Sequence, residues 1–273
     1  MCIRDSTGSL DPSATGMLPL CFGEATKVCA FLLDADKTYR VTARLGIATS
    51  TGDADGGETI ATADVPELSF DEWNDILQGF LGESMQVPPM YSALRKDGKR
   101  LYELARKGET VEREPRPIRI DEISLLEAAG TRLVFRVSCS KGTYVRVLVE
   151  DIARAAGTVG HTVRLHRERV GDFESADMVD LAEVEAQAER DRIALIAGLL
   201  PPDKALAGLQ EVMLEEADGP KFSGGQALQV GGEVQNALVR VYAGERRFLG
   251  VGELSGDGTL APRRVFKTSE KTP

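Results

Sequence analysis

The sequence predicts an α+β protein that ends in a small all-β domain. Over about the first 200 residues, segments with a helical spacing of apolar residues alternate with segments in which apolar and polar residues alternate, as in half-buried strands. After Pro201-Pro202 the pattern changes to short strands separated by glycine turns. Because 273 residues can form one large and one small domain, we predict a larger domain over residues 1–200 and a β-barrel over residues 201–273.

Three segments of the larger domain have the spacing of helices. Residues 24–33 place their apolar side chains on one face. Ser69 and Glu72 form a capping box before a second apolar stripe, and we expect that helix to end at Gly82. A third helix is expected within residues 142–157, with an apolar face and a glycine at each end.

The predicted strands have the alternating pattern that one buried face requires. In the larger domain they cover residues 39–45 and 133–139. In the C-terminal domain they cover residues 238–242, 248–254 and 259–262, with glycine-containing turns between them. These strands justify the all-β prediction for the C-terminal domain.

Composition limits the class of protein. The chain is 42% hydrophobic and 28% charged, no apolar run is long enough to span a bilayer, and the start lacks the apolar region of a signal peptide. The four cysteines are scattered, without the paired spacing of a zinc site. We therefore expect a cytoplasmic protein with reduced thiols, no metal and no membrane attachment.

The formal net charge of -10 argues against nucleic-acid binding, but the charges are unevenly distributed. Basic residues cluster within residues 95–119, 164–169 and 263–271, whereas acidic residues concentrate within residues 183–218. An acidic protein with a basic face is compatible with RNA binding. The alternative is that these clusters are ordinary solvated surfaces.

The stretch from Thr7 to Gly16 is small, rich in turn-forming residues and carries one acid, Asp11. Pro12 fixes its own φ and favours an extended conformation for Asp11, which would present the carboxylate outward as a nucleophile or base requires. Judged on the local sequence alone, the commoner role of such an aspartate is to cap the next turn.

Several sequence blocks occur together and in a characteristic order. They are Gly8-Ser9-Leu10-Asp11-Pro12-Ser13-Ala14-Thr15-Gly16-Met17-Leu18, Asp36-Lys37-Thr38-Tyr39-Arg40-Val41, Ala43-Arg44-Leu45-Gly46, Thr51-Gly52-Asp53-Ala54-Asp55-Gly56, Pro89-Met90-Tyr91-Ser92-Ala93-Leu94 and Lys141-Gly142-Thr143-Tyr144-Val145-Arg146. In these blocks, their order and their spacing, the chain resembles the TruB family of tRNA pseudouridine synthases. The resemblance covers nearly the whole chain from Thr7.

The resemblance implies a fold, a reaction and a partner. The fold would be a catalytic domain built on a mixed, mostly antiparallel sheet with flanking helices, followed by a PUA-like RNA-binding barrel. The reaction would be the isomerisation of uridine to pseudouridine at position 55 in the T loop of tRNA, after the base is flipped out. Since this reaction is neither redox nor group transfer, we expect no cofactor and no metal. The resemblance to the stand-alone form also implies a monomer with no obligatory protein partner.

The resemblance also assigns residues. Asp11 would be the nucleophile or base, Tyr39 would stack on the target base, and Arg146 would pair with Asp11. An insertion over about residues 86–117 would close over the RNA stem-loop. The residues expected to bind substrate are Leu165, which would pack on the base, and Tyr144, Lys27, Arg95, Lys96, Lys99 and Arg100.

The start of the chain departs from the family pattern. Family members have a further strand and loop before the Asp11 motif, and a histidine usually precedes its Thr-Gly pair. Here that position is Ser6, and residues 1–6 do not resemble the family. We therefore expect an N-terminally truncated or altered start, which puts the role of this histidine in doubt.

Structural interpretations compete with each catalytic assignment. Tyr39 shares a strand face with Val41 and Ala43, and most tyrosines in such a position are core residues. Arg146 lies four residues before Glu150 and would form an exposed ion pair if it had no other role. The Asp-rich loop around Asp53 lacks the glutamate of a calcium loop, so we interpret it as a turn.

Three other functions compete with a stand-alone synthase. The chain would be a tRNA-binding folding chaperone if catalysis were dispensable or lost. It would be a guide-RNA-dependent relative if it shared the catalytic core and PUA domain but relied on protein partners, although the long basic insertion favours the stand-alone form. A glycosidase is the poorest match, because that chemistry normally needs two carboxylates and the motifs supply one.

Overall fold

A computed structural model describes residues 4–55, 57–231 and 236–267. Gly56, which ends one of the sequence blocks, the first three residues of the atypical start and the basic Lys271 lie outside the described residues. The chain folds into two compact units. The first unit comprises Met1–Gly8, Leu18–Leu33 and Asp177–Pro273, and the second comprises Ser9–Met17 and Asp34–Ala176. The assignment of catalysis to residues 1–200 and of RNA binding to residues 201–273 stays a prediction.

The strands are numbered in chain order. They are β1 Arg4–Ser6, β2 Thr15–Gly16, β3 Leu20–Phe22, β4 Lys37–Leu45, β5 Ile47–Thr49, β6 Thr59–Thr62, β7 Gly82–Gln86, β8 Arg95–Lys96, β9 Lys99–Arg100, β10 Arg116–Ala129, β11 Arg132–Cys139, β12 Gly160–Val170, β13 Gln210–Leu214, β14 Leu228–Gln229, β15 Ala237–Ala243, β16 Arg247–Leu254 and β17 Thr259–Val265.

The helices are numbered in the same way. The α-helices are α1 Cys29–Asp34, α2 Phe70–Gln78, α3 Leu101–Ala105, α4 Val145–Ala155, α5 Leu181–Arg190, α6 Arg192–Ala197 and α7 Gly219–Ser223. Four 3₁₀ turns cover Gly23–Val28, Ser175–Asp177, Pro202–Leu206 and Glu216–Asp218.

A six-stranded sheet forms the centre of the second unit. Its strand order is β2-β12-β4-β11-β10-β7. Every neighbouring pair is antiparallel except β2 and β12, which are parallel. The predicted mixed, mostly antiparallel sheet is therefore confirmed.

The hydrophobic core lies on one face of this sheet. Side chains that alternate along β4 and β11, such as Val41 and Phe135, are completely buried there. Trp73 and Leu77 of α2 and Leu148 and its neighbours of α4 pack into the same cluster. The two flanking helices are thus held against one sheet face by the apolar stripes that the sequence displays.

Two helix boundaries differ from the predictions. The predicted capping box is present, because the Ser69 side chain accepts from the Glu72 N–H and the Glu72 carboxylate accepts from the Ser69 N–H. However, α2 ends earlier than predicted, since the Gly79 N–H caps it and Gly82, with φ +93°, opens β7 instead. The predicted helix over residues 24–33 is a 3₁₀ turn followed by the short helix α1.

The first unit contains the C-terminal sheet. Five strands follow the order β13-β15-β16-β17-β14, and only the β13–β15 pair is parallel. Phe222 of α7 and Val239, Val241 and Leu260 of the sheet are completely buried in its core. The predicted PUA-like barrel is therefore observed as a half-barrel, with β13 and β14 as its end strands.

Candidate active site

Asp11 lies in a tight turn just before β2. The Ala14 N–H donates to the Asp11 carbonyl at 2.9 Å, which closes the turn around Pro12. The Asp11 side chain is 38% exposed, and its carboxylate accepts from Arg146, with Nε 2.9 Å from Oδ2 and Nη2 3.4 Å from Oδ1. Within the described part of the chain, no backbone N–H is bonded to this carboxylate, so Asp11 does not act as a turn cap. The turn instead presents a partly exposed carboxylate held by a guanidinium.

Arg146 is only 6% exposed and is held on several sides. Besides Asp11, its guanidinium donates from Nη1 to the Thr51 carbonyl at 2.7 Å and from Nη2 to the Tyr91 carbonyl at 2.8 Å. Nη1 also lies 3.6 Å from Oδ2 of Asp53. The alternative that Arg146 is an exposed arginine paired with Glu150 is therefore wrong. Its planar fork is fixed by two carbonyls and two carboxylates, a geometry that a lysine cannot reproduce.

Helix α4 brings Arg146 to this position. Tyr144 is the N-cap residue of α4, so Arg146 lies in its first turn, where the helix dipole disfavours a cation. Asp11 and Asp53 supply compensating negative charge at the same helix end. Gly52, with φ +72°, lies against α4, and a Cβ on it would approach Oε1 of Glu150 to 2.6 Å. The positive φ favours glycine in the loop that carries Asp53, whereas the Glu150 side chain could move away from a Cβ.

Tyr39, the third predicted catalytic residue, lies on β4 and is 9% exposed within the core cluster. Burial raises the pKa of its phenol, and the charge of Asp11 acts in the same direction. Tyr39 therefore packs within the core cluster, as its strand position indicated, and its contact with the target base stays a prediction.

The other predicted substrate-binding residues of the second unit differ in their surroundings. Tyr144 is half-buried at the start of α4, and burial raises the pKa of its phenol. Leu165 on β12 pairs with Val41 and packs against the core cluster. Tyr144 is thus positioned by α4, which also carries Arg146, and Leu165 by β12, the neighbour of the strand that carries Tyr39.

The four predicted basic residues form an exposed hairpin. Arg95 pairs with Arg100, and Lys96 pairs with Lys99, across a turn in which Asp97 and Gly98 both have positive φ. The Lys96 ammonium donates to the Glu112 carbonyl at 2.8 Å. The insertion therefore presents these cations on a defined two-stranded element and not on an irregular loop.

Lys27 is not part of this arrangement. It belongs to the first compact unit, where its ammonium donates to the Glu24 carboxylate at 2.5 Å and to the Val265 carbonyl at 2.7 Å. It also lies 5.7 Å from the centre of the Phe266 ring. The expectation that Lys27 binds substrate stays a prediction.

Two residues of the site were not among the predicted ones. Asp53 is directed towards Arg146 by Thr51, whose hydroxyl donates to Oδ1 of Asp53 at 2.7 Å. Gln86 is 5% exposed, accepts from the Tyr144 N–H at 2.8 Å and donates to the Tyr144 carbonyl at 3.2 Å. Asp53 stands inside one of the characteristic blocks, which was a usable signal. Nothing local in the sequence marks Gln86.

Within residues 4–55, 57–231 and 236–267, no group of three or more His, Cys, Asp or Glu residues is arranged to hold a metal ion. No helix in the described part of the chain is long and apolar enough to cross a membrane.

Three family models match consecutive parts of the chain. Residues 6–145 match the TruB family pseudouridylate synthase N-terminal domain. Residues 146–207 match the tRNA pseudouridylate synthase B C-terminal domain, and residues 211–266 match the pseudouridine synthase II TruB C-terminal model. The matches together span both units.

Two similar proteins share the description tRNA pseudouridine synthase B. The chain is 48% identical over 260 residues to tRNA pseudouridine synthase B of Nitrosococcus oceani, covering 95% of this chain and 84% of the relative. It is 47% identical over 263 residues to the protein of the same description from Pseudomonas putida strain F1, covering 96% and 86%. Matches that take in 95% of this chain give no support to the expected N-terminal truncation.

Solved structures share the fold. One is a Cbf5-Nop10-Gar1 complex, with a TM-score of 0.72 at 24% identity over 97% of this chain and 76% of that chain. Another is an H/ACA RNP bound to a substrate RNA containing 2′-deoxyuridine, with a TM-score of 0.73 at 22% identity over 98% and 77%. At these identities the likeness establishes the architecture alone.

The sheet, the loop carboxylate held by a buried arginine and the matched models together define a pseudouridine synthase. Within that class, the chain belongs to the TruB family. Like its relatives it is a tRNA pseudouridine synthase, which is an isomerase.

Proposed function

We propose that the chain isomerises uridine 55 in the T loop of tRNA, after the base is flipped out of its stack. The observation that carries the proposal is the Asp11–Arg146 pair, a partly exposed carboxylate on a turn held by an almost completely buried guanidinium. A flipped nucleotide can reach such a carboxylate, whereas a capping aspartate would be engaged with the backbone. The description shared by the similar proteins supports tRNA as the substrate.

Asp11 acts on the ribose in this proposal. The C1′–N1 bond of uridine breaks, the detached base rotates, a C1′–C5 bond forms, the C5 proton is lost and N1 gains a proton. Atoms and electrons balance within the nucleotide, so the reaction itself consumes no co-reactant. Positive character develops at C1′ during cleavage, and Asp11 either attacks C1′ or removes a ribose proton.

Arg146 orients Asp11, and Tyr39 contacts the base. Arg146 fixes the carboxylate direction through two contacts while Asp53 and the two carbonyls keep the guanidinium in place. Tyr39 stacks on the detached base and assists loss of the C5 proton. Leu165 and Tyr144 pack against the base and its sugar.

The basic insertion holds the RNA backbone. Arg95, Lys96, Lys99 and Arg100 lie on the exposed β8–β9 hairpin, where they contact phosphates of the T stem. Lys27 contributes a further phosphate contact from the first unit. Such contacts position the RNA, while the flipped base determines which nucleotide reacts.

The chain acts in the cytoplasm as a monomer without an obligatory protein partner. The sequence identity of 48% to a tRNA pseudouridine synthase B, against 24% to the chain of the Cbf5-Nop10-Gar1 complex, supports the stand-alone enzyme over the guide-RNA-dependent alternative.

Tritium release tests the proposed substrate position. Two unmodified tRNA transcripts carry C5-tritiated uridine, one with uridine at position 55 and a matched one with U55→C. The proposal predicts release of one equivalent from the first transcript and none from the second.

Equal release from both transcripts would contradict the assignment of position 55. Binding of both transcripts without release from either would contradict catalysis and favour the tRNA-binding folding chaperone.

A further inference from the structure

The face of the six-stranded sheet opposite α2 and α4 is unusually rich in arginine. Because side chains alternate along a strand, the residues between the core positions of β4, β11 and β12 project to this side. We call it the arginine face, and it consists of five exposed residues, Arg40, Arg44, Arg132, Arg136 and Arg164.

The strand register places these cations directly beside one another. Arg40 pairs with Arg136 and Arg44 pairs with Arg132 across the β4–β11 ladder. Like charges in directly opposite positions destabilise a sheet. Threonine or another uncharged residue would fit these strand positions without that repulsion. The fold therefore does not explain why arginine occupies these positions.

Only part of this charge is neutralised inside the protein. Arg132 is paired with Glu127 at 2.9 Å and Arg136 with Glu168 at 2.8 Å. In the described part of the chain, Arg40, Arg44 and Arg164 have neither an ion pair nor a side-chain hydrogen bond. Three uncompensated guanidinium groups on one face form a local positive region in a chain of net charge -10.

A cavity lies in the same face. Its volume is about 470 Å³, and its lining includes Arg40, Arg132 and Arg164 together with Ser13 and Thr15. Thr15 is fixed there by a 2.8 Å hydrogen bond between its hydroxyl and Nδ1 of His166. Guanidinium and hydroxyl groups in one concave surface are the donors that bind phosphate oxygens.

We propose that the arginine face binds phosphate groups of the tRNA substrate. This proposal rests on the proposed function, because it takes tRNA as the polyanion. Ser13 and Thr15 belong to the same stretch as Asp11, so RNA held in this cavity runs beside the loop that carries the catalytic carboxylate. The arginine face is separate from the β8–β9 hairpin and adds contacts that the insertion does not supply.

The salt dependence of tRNA binding tests the proposal. Arg40→Ala and Arg164→Ala each remove one phosphate contact, so each reduces the slope of log Kobs against log salt by about 1, and the double variant reduces it by about 2. Arg154→Ala is the matched control, because it removes the same charge from an exposed position of the same unit, where Arg154 is 72% exposed and paired with Asp151. Arg40→Lys keeps the charge and should keep the slope.

Two readouts separate this proposal from the function on which it rests. The proposal predicts that turnover at saturating tRNA stays within about twofold in Arg40→Ala and Arg164→Ala, since only binding is weakened. If both variants fold, by circular dichroism, and bind with the slope of Arg154→Ala, the arginine face does not bind RNA. A change in oligomeric state without a change in slope would also overturn the proposal, by assigning the face to a protein contact. Failure of the proposed function would appear independently, as absence of tritium release by the unaltered chain.

Discussion

Arg146 is the residue on which the geometry of the candidate site depends. It is a buried cation in the first turn of α4, an unfavourable position that two carboxylates and two carbonyls compensate. Removing one member of such a buried arrangement leaves the others unpaired, which is costly. Each of its partners should therefore matter more than an exposed salt bridge would.

Arg146→Lys tests this dependence. Lysine keeps the charge but loses the fork that reaches Asp11, Thr51 and Tyr91 together, so the carboxylate loses its fixed direction. We expect the single-turnover rate to fall by about 10²-fold, the scale of a 1 Å misplacement, with tRNA affinity within a few-fold. Arg154→Lys is the control, and an equal rate in the two variants would contradict the account.

Glu150 offers a pH-dependent test at the same scale. Burial raises the pKa of this α4 carboxyl group, so the folded state binds its proton more tightly than the unfolded chain does. Ionisation therefore costs stability as the pH rises through the range above the unfolded pKa. We expect Glu150→Gln to raise the Tm at pH 7.5 and to leave it nearly unchanged at pH 4. A lower Tm at pH 7.5 would show that the charge of Glu150 is favourable there.

At the scale of elements, Gln86 joins β7 to the start of α4. Its amide forms both hydrogen bonds with the main chain of Tyr144, two residues before Arg146. Since the predicted insertion begins at Gln86, this single side chain connects the start of α4 to the first residue of the segment expected to hold RNA. A small shift of the helix start would move the guanidinium away from Asp11.

Gln86→Ala should therefore slow chemistry more than it weakens binding. We expect the single-turnover rate to fall by about 10–10²-fold with the tRNA Kd within a few-fold, and Gln86→Glu, which keeps only the acceptor, to lie between. Gln78→Ala is the matched control, because it removes one amide-to-backbone bond, to the Ile123 carbonyl at 2.9 Å, between α2 and β10. Equal effects of the two alanine variants on the single-turnover rate would show that Gln86 has only a general structural role.

Local sequence signals predicted the elements better than the contacts between them. The Ser69–Glu72 capping box and the alternation along β4 are complete within a few residues, and both are observed. The predicted end of α2 was wrong because either of two glycines could end the helix. Gly79 caps it, so the helix does not extend to Gly82. A local pattern cannot decide between two such stop signals.

Local sequence patterns could not predict the contacts of the site, because these contacts join distant parts of the chain. Arg146 meets Asp11 across 135 residues and Tyr91 across 55 residues. The resemblance supplied the first pairing, and no periodicity or spacing indicated the second. Gln86 was missed for the same reason, since its partner lies 58 residues away.

At the scale of the whole molecule, segments from both ends of the chain share one unit. Leu18–Leu33 and the residues after Asp177 belong together, although the sequence changes its texture only at Pro201-Pro202. A compositional change marks where strands become short, whereas a compact unit is defined by packing. The assignment of catalysis to residues 1–200 and of RNA binding to residues 201–273 therefore does not follow from the division into compact units.

If Asp11 performs the chemistry, replacing its carboxylate must abolish the reaction without abolishing tRNA binding. Tritium release from C5-labelled uridine in unmodified tRNA is measured under single turnover for the unaltered chain, Asp11→Asn and Asp121→Asn. Asp121 is the matched control, because its carboxylate is 39% exposed and lies 2.6 Å from an arginine Nε. The account predicts normal release by Asp121→Asn and a loss of about 10⁴-fold in Asp11→Asn, with tRNA binding retained. Release by Asp11→Asn at the rate of the control would contradict it.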